Sequence, residues 1–369
     1  MWQSVAPFGK LGPVRILALP GDGIGPEITA VAVQALERLD KRFDLGLQLE
    51  THEVGLASLE RSGSTLPEAV VAACRAADGF VLGPVSHLDY PPRAQGGLNP
   101  SGDLRIALDL YANVRPSRCY AGLSHWGRTP MDLVIVRENT EGFYADRNMH
   151  QGLGEFMPTP DLALSVRKIS AHASRRIAQA AFRLARIRRR KVTAVHKVNV
   201  LKVTEGLFLR EVRRVATQYP DVAYDEQLVD SMAALLVRDA ARFDVVVTTN
   251  MYGDILSDEA AELSGGLGLA GSVNAGDAHC MAQAQHGSAP DIAGKDLANP
   301  CSLLLSTAML LGWLGERHGK PRFLDAQAAL DKAIPALIGQ PSTRTRDLGG
   351  TLGTRAFAAA ILEKIKQEA

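Results

Sequence analysis

The chain has 369 residues, of which 46% are hydrophobic and 22% charged, with 41 basic against 40 acidic side chains. This length suits two domains, and a formal net charge of +1 argues against a protein built mainly to hold polyanions. No apolar run reaches the roughly 20 residues that span a bilayer, so we expect no membrane segment. Residues 1–10 lack a secretion-signal pattern, and the four cysteines lie far apart. We therefore expect a cytoplasmic protein with reduced thiols.

Short β-branched runs alternate with amphipathic helical stretches along the chain, which is typical of an α/β protein. Buried strands are predicted at residues 14–19, 80–82, 132–136, 192–196 and 244–248. Pro26 suits the first turn of a helix, and Ser170 suits the N-cap of another. We predict a discontinuous first domain, residues 1–112 and 266–369, and a second domain inserted over residues 113–265. Residues 146–161, with scattered prolines and glycines, are interpreted as an excursion from the domain body.

A glycine-rich turn, residues 21–25, follows the first predicted strand. The spacing differs from the GxGxxG motif of Rossmann dinucleotide-binding folds, because the third glycine comes one residue early and Pro26 follows it. A tight turn into a helix explains these glycines without any ligand.

Two sets of charged residues have the chemistry of a small-molecule site. Arg105, Arg115 and Arg137 flank apolar segments, and guanidinium groups bind carboxylates through paired hydrogen bonds, which indicates a di- or tricarboxylate site. Solvated or ion-paired arginines are an equal alternative. Asp254 and Asp258 would share one helix face and could hold Mg²⁺ or Mn²⁺. The alternative is an acidic first turn that merely suits the helix dipole.

Three further segments have less specific signals. Lys197 ends a predicted strand and could act as a base if neighbouring positive charge lowers its pKa, although the residue taken alone is better interpreted as an ordinary surface lysine. The small residues of segment 286–300 suit phosphate or adenosine, and Asp291 could accept hydrogen bonds from an adenosine ribose. The six basic residues within 183–191 could bind nucleic acid, but we interpret them as solvated side chains at a helix C-terminus.

The order of these motifs resembles that of the β-decarboxylating dehydrogenases, which act on isocitrate, homoisocitrate, isopropylmalate, tartrate or D-malate. The resemblance covers nearly the whole chain and is carried by residues 19–27, 137–144, 249–258, 286–300 and 346–350. It implies the two-domain α/β fold of isopropylmalate dehydrogenase, which is not a Rossmann fold. It also implies a homodimer with shared active sites in which segment 146–161 is an arm across the interface.

The resemblance further implies a role for each matching residue. The substrate carboxylates would bind to Arg105, Arg115 and Arg137. The catalytic residues would be Tyr144, which returns a proton to C3, and Lys197, which accepts the hydroxyl proton and comes from the neighbouring subunit. The Mg²⁺ or Mn²⁺ ligands would be Asp254 and Asp258, with Asp230 supplied by the partner chain. The cofactor would be NAD, because Asp291 stands where NADP-specific relatives carry basic or aromatic residues, and its site would include Asn199, His286, Gly287, Asp291 and Asn299.

The segment before Arg105 is expected to contact the substituent on C3. Asn99 and Ser101 stand there where isopropylmalate enzymes carry leucines, which favours a polar or small substituent. Gly102 replaces an arginine of homoisocitrate enzymes, and Gln283 replaces a usual glutamate beside the cofactor site. We therefore predict NAD-dependent oxidative decarboxylation of a 3-substituted (2R)-malate, with a polar substituent favoured. The alternative is a tartrate- or D-malate-type dehydrogenase, with or without decarboxylation.

Overall fold

A computed structural model of the chain describes residues 12–144, 149 and 154–367. The prediction about residues 1–10 lies outside these ranges, and so does part of segment 146–161. The strands are β1 (Val14–Leu19), β2 (Leu47–Thr51), β3 (Gly79–Leu82), β4 (Ala112–Arg118), β5 (Asp132–Glu138), β6 (Glu155–Thr159), β7 (Leu162–Ser165), β8 (Lys191–His196), β9 (Ala223–Leu228), β10 (Val245–Thr248), β11 (Val273–Ala275) and β12 (Cys280–Gln283).

The helices alternate with these strands, as expected for an α/β protein. They are α1 (Gly25–Phe43), α2 (Leu56–Ser62), α3 (Glu68–Ala76), α4 (Pro100–Ala107), α5 (Ala171–Arg186), α6 (Thr204–Ala216), α7 (Val229–Asp239), α8 (Asn250–Ser264), α9 (Cys301–His318), α10 (Pro321–Ile338) and α11 (Thr354–Gln367). Pro26 lies in the first turn of α1, and the Ser170 hydroxyl accepts a hydrogen bond from the backbone N–H of Ala173 at the start of α5. Both helix-start predictions are confirmed.

One mixed sheet joins ten of the described strands, in the order β2–β1–β3–β12–β11–β4–β5–β10–β8–β9. Its two flanks are parallel, whereas in the middle β11 runs antiparallel to both β12 and β4, and β4 runs antiparallel to β5. The five predicted strands all lie in this sheet. The sheet is continuous through β4, in which the predicted domain boundary between residues 112 and 113 falls. The domain division stays a prediction.

The glycine-rich turn between β1 and α1 packs against two other backbone segments. Gly21 and Gly23 have φ values of +72° and +56°, in the left-handed region that favours glycine. A Cβ on Gly23 would lie 2.0 Å from the carbonyl oxygen of Ser288, and one on Gly21 would lie 2.2 Å from that of Pro84. The tight-turn interpretation therefore accounts for these glycines.

The basic run 183–191 is partly ion-paired rather than simply solvated. Arg188 Nε donates to Asp244 Oδ1 at 2.8 Å, and its NH2 group donates to Asp132 Oδ1 at 2.9 Å. Arg186 forms an ion pair of 2.7 Å with Asp221. Carboxylates thus neutralise part of this positive charge, and a site for nucleic-acid phosphates would need that charge uncompensated.

A separate hairpin of β6 and β7 stands apart from the main sheet. All of its strand residues are exposed, including Phe156, Met157, Leu162 and Leu164. A two-stranded hairpin on its own is marginally stable in water, and exposed apolar side chains add no stability.

Two remaining sequence predictions concern membranes and cysteines. Across the described residues, no helix combines the length and the apolar character needed to cross a bilayer. All four cysteines are free thiols, and burial raises the pKa of Cys74 to about 12. The structure thus joins none of the four cysteines in a disulfide.

Candidate active site

The antiparallel centre of the sheet gathers polar side chains on one face. Arg137 of β5 lies directly opposite Asn113 of β4, which lies opposite Asn274 of β11. Directly paired residues point to the same face, and so do residues two apart in one strand. Arg115 of β4 and Gln283 at the end of β12 therefore share that face with Arg137.

A cavity of about 320 Å³ lies over this face. Helix α4 borders it on one side and helix α8 on another, and the segment after β12 completes its wall. Nine of the residues predicted for the site line this cavity: Asn99, Ser101, Arg105, Arg115, Arg137, Tyr144, Asp254, His286 and Gly287. The structure thus brings together residues that lie as far apart along the chain as Asn99 and Gly287.

Helix α8 packs directly against Arg137. Because α8 begins at Asn250, Asn250 and Asp254 follow each other at four-residue spacing on one helix face. Arg137 donates from Nε and NH2 to Asn250 Oδ1, at 2.9 and 2.7 Å, and its NH1 group pairs with Asp254. A Cβ on Gly253 would lie 2.6 Å from the Cβ of Arg137, so glycine is needed at this contact.

Arg115 joins the two aspartates that are predicted to bind metal. Its NH1 group donates to Asp254 Oδ1 at 3.2 Å, to Asp258 Oδ1 at 3.1 Å and to Ser257 Oγ at 2.8 Å. The buried Arg115 and Arg137 are therefore ion-paired and also line the cavity. Both interpretations of the arginines, as ion-paired side chains and as part of a carboxylate site, are compatible with these contacts. Asp254 lies in the second turn of α8, which excludes the interpretation of an acidic first turn.

Opposing effects set the charge state of this cluster. Burial alone would raise the pKa of Asp254, but the positive charges of Arg137 and Arg115 outweigh it and hold that pKa below its usual value. Burial, and then the neighbouring Arg137, lower the pKa of Arg115 to about 10, so Arg115 stays protonated at neutral pH. Tyr144 donates its hydroxyl to Asp254 Oδ2 at 3.2 Å, which places it beside the ionised carboxylate.

The donor set at α8 fits a hard divalent cation. Oxygens of Asp254 and Asp258 both lie within hydrogen-bond distance of one Arg115 nitrogen, so they are close together, and carboxylate oxygens suit Mg²⁺ or Mn²⁺. Asp230 does not line this cavity; it accepts a hydrogen bond of 2.6 Å from Lys197 Nζ. In the described part of the chain, no three His, Cys, Asp or Glu side chains gather as a metal site.

Lys197 also lies away from the cavity of its own chain. Its backbone N–H donates to Glu205 Oε2 at 2.8 Å, and Asn199, two residues further on, is exposed and does not line the cavity either. Lys197 Nζ forms an ion pair of 2.6 Å with Asp230 Oδ1. This ion pair places a negative group beside Lys197, where positive surroundings were expected.

His286 has an unsatisfied polar atom that fits a cofactor. Its Nδ1 lies 2.9 Å from the carbonyl oxygen of Gly287, whereas its Nε2 is buried and has no hydrogen-bond partner among the described residues. Burial lowers the pKa of His286, so the ring is neutral at physiological pH. A buried nitrogen without a partner is costly, and a ligand such as adenosine would satisfy it.

The other predicted cofactor and substrate residues have varied surroundings. Asp291 is exposed, which leaves its carboxylate accessible. Asn299 is buried and makes two hydrogen bonds within the protein. Its Nδ2 donates to Asp347 at 2.8 Å, and its Oδ1 accepts from the backbone N–H of Cys301 at 3.0 Å. Asn99 caps α4, because its Oδ1 accepts from the backbone N–H of Gly102 at 3.2 Å.

Several residues of the site were not predicted from the sequence. They are Asn139, Asn250, Ser257, Asn274 and Gln285, which hydrogen-bond Arg105, Arg137, Arg115, Gln283 and Asp258 respectively. The four-residue spacing from Asn250 to Asp254 could have revealed Asn250. The remaining contacts depend on strand pairings and on packing between distant segments.

Two buried glutamates in the segment between Arg137 and Tyr144 lead to a stability prediction. Burial, and then the neighbouring Glu138, raise the pKa of Glu141 to about 7. As the pH rises, the unfolded chain loses the Glu141 proton near the usual pKa of a glutamate, whereas the folded chain keeps it until about pH 7. Between these two pH values the ionisable Glu141 therefore lowers the free energy of unfolding by a growing amount. We expect Glu141→Gln to increase the free energy of unfolding by on the order of 2 kcal/mol at about pH 8, and by little at about pH 4, in denaturant titrations.

The glutamine at position 141 could still accept the hydrogen bond that Glu141 Oε1 accepts from the backbone N–H of Ser170, at 2.8 Å. The matched control is Glu60→Gln, because Glu60 is exposed on α2 and its substitution should change stability by less than about 0.5 kcal/mol. An equal gain for Glu141→Gln at both pH values would contradict the assignment.

Comparison with known proteins gives one consistent family. The sequence profile described as isocitrate/isopropylmalate dehydrogenase matches residues 15–365. An isocitrate/homoisocitrate dehydrogenase of Thermus thermophilus is 42% identical over 356 residues, which cover 95% of this chain and 98% of the relative. A 3-isopropylmalate dehydrogenase of Saccharolobus solfataricus is 38% identical, over 91% of this chain and 95% of the relative.

A solved structure agrees with these sequence matches. The crystal structure of isocitrate dehydrogenase from Methylococcus capsulatus has a TM-score of 0.84 and 39% identity, with coverage of 96% of this chain and 100% of that chain. The expected resemblance and fold class are therefore confirmed. The chain belongs to the isocitrate/isopropylmalate dehydrogenase family, whose members are decarboxylating hydroxyacid dehydrogenases.

Proposed function

We propose that the chain catalyses NAD-dependent oxidative decarboxylation of a 3-substituted (2R)-malate, with Mg²⁺ or Mn²⁺ as the metal. The observation that carries this proposal is the shared cavity of Arg115, Arg137, Tyr144 and Asp254. In this cavity the arginines could bind the carboxylates of a substrate, and the adjoining aspartate could bind a hard cation. Arg105, which also lines the cavity, adds a third guanidinium.

The proposal gives a role to each group of residues. The three arginines hold the substrate carboxylates, and Asp254 and Asp258, with Asp230 of the partner subunit, hold the cation. When bound, the cation would lower the pKa of the C2 hydroxyl and the nicotinamide would accept the hydride. Lys197 accepts the hydroxyl proton, and Tyr144 returns a proton to C3 after CO₂ leaves. Asn199, His286, Gly287, Asp291 and Asn299 hold the NAD.

The substituent on C3 is proposed to be polar. Asn99, Ser101 and Gly102 line the cavity beside Arg105, and none of them presents a large apolar surface. An apolar isopropyl group could form no hydrogen bond with these polar side chains, whereas a polar substituent could. The similarity to an isocitrate/homoisocitrate dehydrogenase supports the same preference. Because Gly102 and Ser101 also suit a small substituent, a tartrate- or D-malate-type reaction is the second candidate.

The working unit is proposed to be a homodimer with shared active sites. Lys197 and Asp230 contact each other outside the cavity of their own chain, and both are accessible enough to enter a neighbouring site. The exposed apolar hairpin of β6 and β7 suits coverage by a second copy. In this proposal residues 1–112 and 266–369 form the cofactor-side domain, residues 113–265 form the dimerisation domain, and the enzyme works in the cytoplasm.

A substrate panel tests the reaction directly. NAD reduction would be measured with D-malate, tartrate, isocitrate, homoisocitrate and 3-isopropylmalate in the presence of Mn²⁺, together with CO₂ release. We expect isocitrate or homoisocitrate to give the highest kcat/KM, with one CO₂ per NADH. No reduction with any substrate would refute the proposal, and the highest kcat/KM with 3-isopropylmalate would refute the polar substituent. NADH without CO₂ would favour the tartrate-type alternative.

The cofactor assignment makes a separate prediction at Asp291. We expect Asp291→Lys to raise the KM for NAD at least about tenfold, because a lysine cannot accept hydrogen bonds from the adenosine ribose. Initial rates at varied NAD concentrations measure this effect. The matched control is Asp325→Lys, since Asp325 is exposed on α10 and makes the same change in charge. Unchanged NAD kinetics in Asp291→Lys would remove Asp291 from the cofactor site.

A further inference from the structure

The backbone of Lys197 is held at both of its polar atoms. Its N–H donates to Glu205 Oε2 at 2.8 Å, and its carbonyl oxygen accepts from the backbone N–H groups of Val200 and Leu201, at 3.0 and 2.9 Å. The carbonyl oxygen of Leu201 accepts in turn from the backbone N–H of Glu205 at 3.0 Å, so the segment closes on itself. The main chain at Lys197 is therefore fixed, and only the side-chain torsions are left to direct the ammonium group.

The carboxylate that holds Lys197 is completely buried. Glu205 lies in the first turn of α6 with its side chain 0% exposed, and its Oε1 forms an ion pair with Arg167, whose side chain is 8% exposed. A buried ion pair is costly to desolvate, and well-packed apolar residues in its place often give equal or greater stability. Stability alone therefore gives little reason for a carboxylate at this position, whereas a fixed contact with the backbone of Lys197 does.

Arg167 fixes the orientation of Glu205 against the start of α8. Its NH2 group also donates to Thr249 Oγ1 at 2.9 Å, and Thr249 directly precedes α8. Its guanidinium carbon lies 5.2 Å from the ring centre of Tyr252, within α8. The Glu205 carboxylate is thus held between two donors, with Oε1 toward Arg167 and Oε2 toward Lys197.

We propose that Glu205 is a positioning residue for Lys197, because it fixes the backbone from which this base reaches the substrate. The inference rests on the proposed function, which takes Lys197 as the group that accepts the hydroxyl proton. A general base must lie within hydrogen-bond distance of its proton, and a small displacement of such a group is costly in rate. Glu205 meets this need with two acceptor oxygens, one for the cation and one for the N–H of Lys197.

Glu205→Gln removes one of these two acceptors and changes little else. A guanidinium can only donate, so Arg167 takes the amide oxygen and leaves the NH₂ group facing the N–H of Lys197, a donor against a donor. We expect kcat to fall at least about tenfold, because the base is displaced. The KM for the substrate should stay within about twofold, because Lys197 is not among the groups that hold the substrate carboxylates. Initial rates with the best substrate of the panel measure both.

A double-mutant cycle separates positioning of Lys197 from a general structural defect. In a Lys197→Met background there is no base left to position, so Glu205→Gln should lower the remaining rate by less than about twofold. A structural defect would lower the rate by the same factor in both backgrounds. An equal loss with and without Lys197 would therefore overturn the inference.

Glu211→Gln is the matched control, because Glu211 is also a buried glutamate of α6 and forms an ion pair of 2.9 Å with Arg175. It should lose stability in a similar way, seen in thermal melts, and keep kcat within about twofold. Equal losses of kcat in Glu205→Gln and Glu211→Gln would contradict a specific role for Glu205.

A second variant covers the case in which Glu205→Gln does not fold. Glu205→Asp keeps the negative charge beside Arg167, but its shorter side chain withdraws the carboxylate from the N–H of Lys197, and the same expectations for kcat, KM and the Lys197→Met background then decide. A wild type that reduces NAD with no substrate of the panel would refute the proposed function itself. An active wild type whose kcat is unchanged by the substitution at Glu205 refutes only this inference.

Discussion

Replacing Lys197 by methionine is expected to lower kcat by about a thousandfold while the protein still folds, because a positioned general base typically contributes about 10²–10⁴ to the rate. Methionine has a similar length but cannot accept the proton of the substrate hydroxyl. Lys197 follows the buried strand β8, and its side chain is 24% exposed beside Asp230, so the substitution removes no core packing. Initial rates and thermal melts measure the two effects.

Lys332→Met is the matched control, because Lys332 is exposed on α10, and it should keep the wild-type rate. Mixed dimers then test whether the active sites are shared. A dimer of one Lys197→Met chain and one Asp254→Asn chain would have one intact site if Lys197 serves the neighbouring subunit. Random reassembly of equal amounts should therefore recover about a quarter of the wild-type activity, since half of the dimers are mixed and each has one site. If the mixed dimers recover no activity, Lys197 acts in the active site of its own chain. If the Lys197→Met variant keeps the wild-type rate, Lys197 has no catalytic role.

The parts of the site that could be predicted from the sequence follow from local spacing. Asp254 and Asp258 were expected on one helix face from their four-residue separation, and both accept hydrogen bonds from the same nitrogen of Arg115. Ser170 was expected as an N-cap from its place before a helical pattern, and its hydroxyl makes that hydrogen bond. Such relations involve residues within one or two helical turns, and the geometry of a helix fixes them.

The parts that could not be predicted depend on contacts between distant segments. Arg105 donates hydrogen bonds to Asn139 and Gln283, and Asn274 is hydrogen-bonded to both of these amides. This arrangement needs β11 to lie antiparallel to both β4 and β12, and nothing in the local sequence of Asn139 or Asn274 specifies that pairing. Arg115 and Asp258 are separated by 143 residues along the chain, so their ion pair appears only in the folded structure. The hydrogen bond between Lys197 and Asp230 was likewise not predicted, because the resemblance gave each residue a role in a neighbouring subunit's site.

The second large effect is expected for Asp254→Asn, which should lower kcat/KM by about a thousandfold or more and weaken Mn²⁺ binding at least about tenfold. Asp254 accepts hydrogen bonds from Arg115, Arg137 and Tyr144, and with Asp258 it forms the chain's own part of the proposed cation site. An amide keeps one acceptor oxygen but brings no negative charge to the cation. Paramagnetic resonance of Mn²⁺ measures the binding loss independently of turnover.

The same substitution should also change stability in a pH-dependent way. Burial opposes ionisation of Asp254, but Arg137 and Arg115 hold its folded-state pKa below the usual value, so its stabilising contribution is present at neutral pH. That contribution disappears as pH falls below the unfolded-state value of about 3.9, where the wild-type carboxyl takes up its proton. We expect Asp254→Asn to lower the free energy of unfolding at neutral pH by about 1 kcal/mol. The effect is this small because the side chain is 35% exposed and solvent screens its charge. The control is Asp325→Asn, at an exposed position of α10, which should show neither effect. Unchanged Mn²⁺ affinity in Asp254→Asn would mean that Asp254 does not bind the metal. Its role would then be limited to its hydrogen bonds with the two arginines and Tyr144.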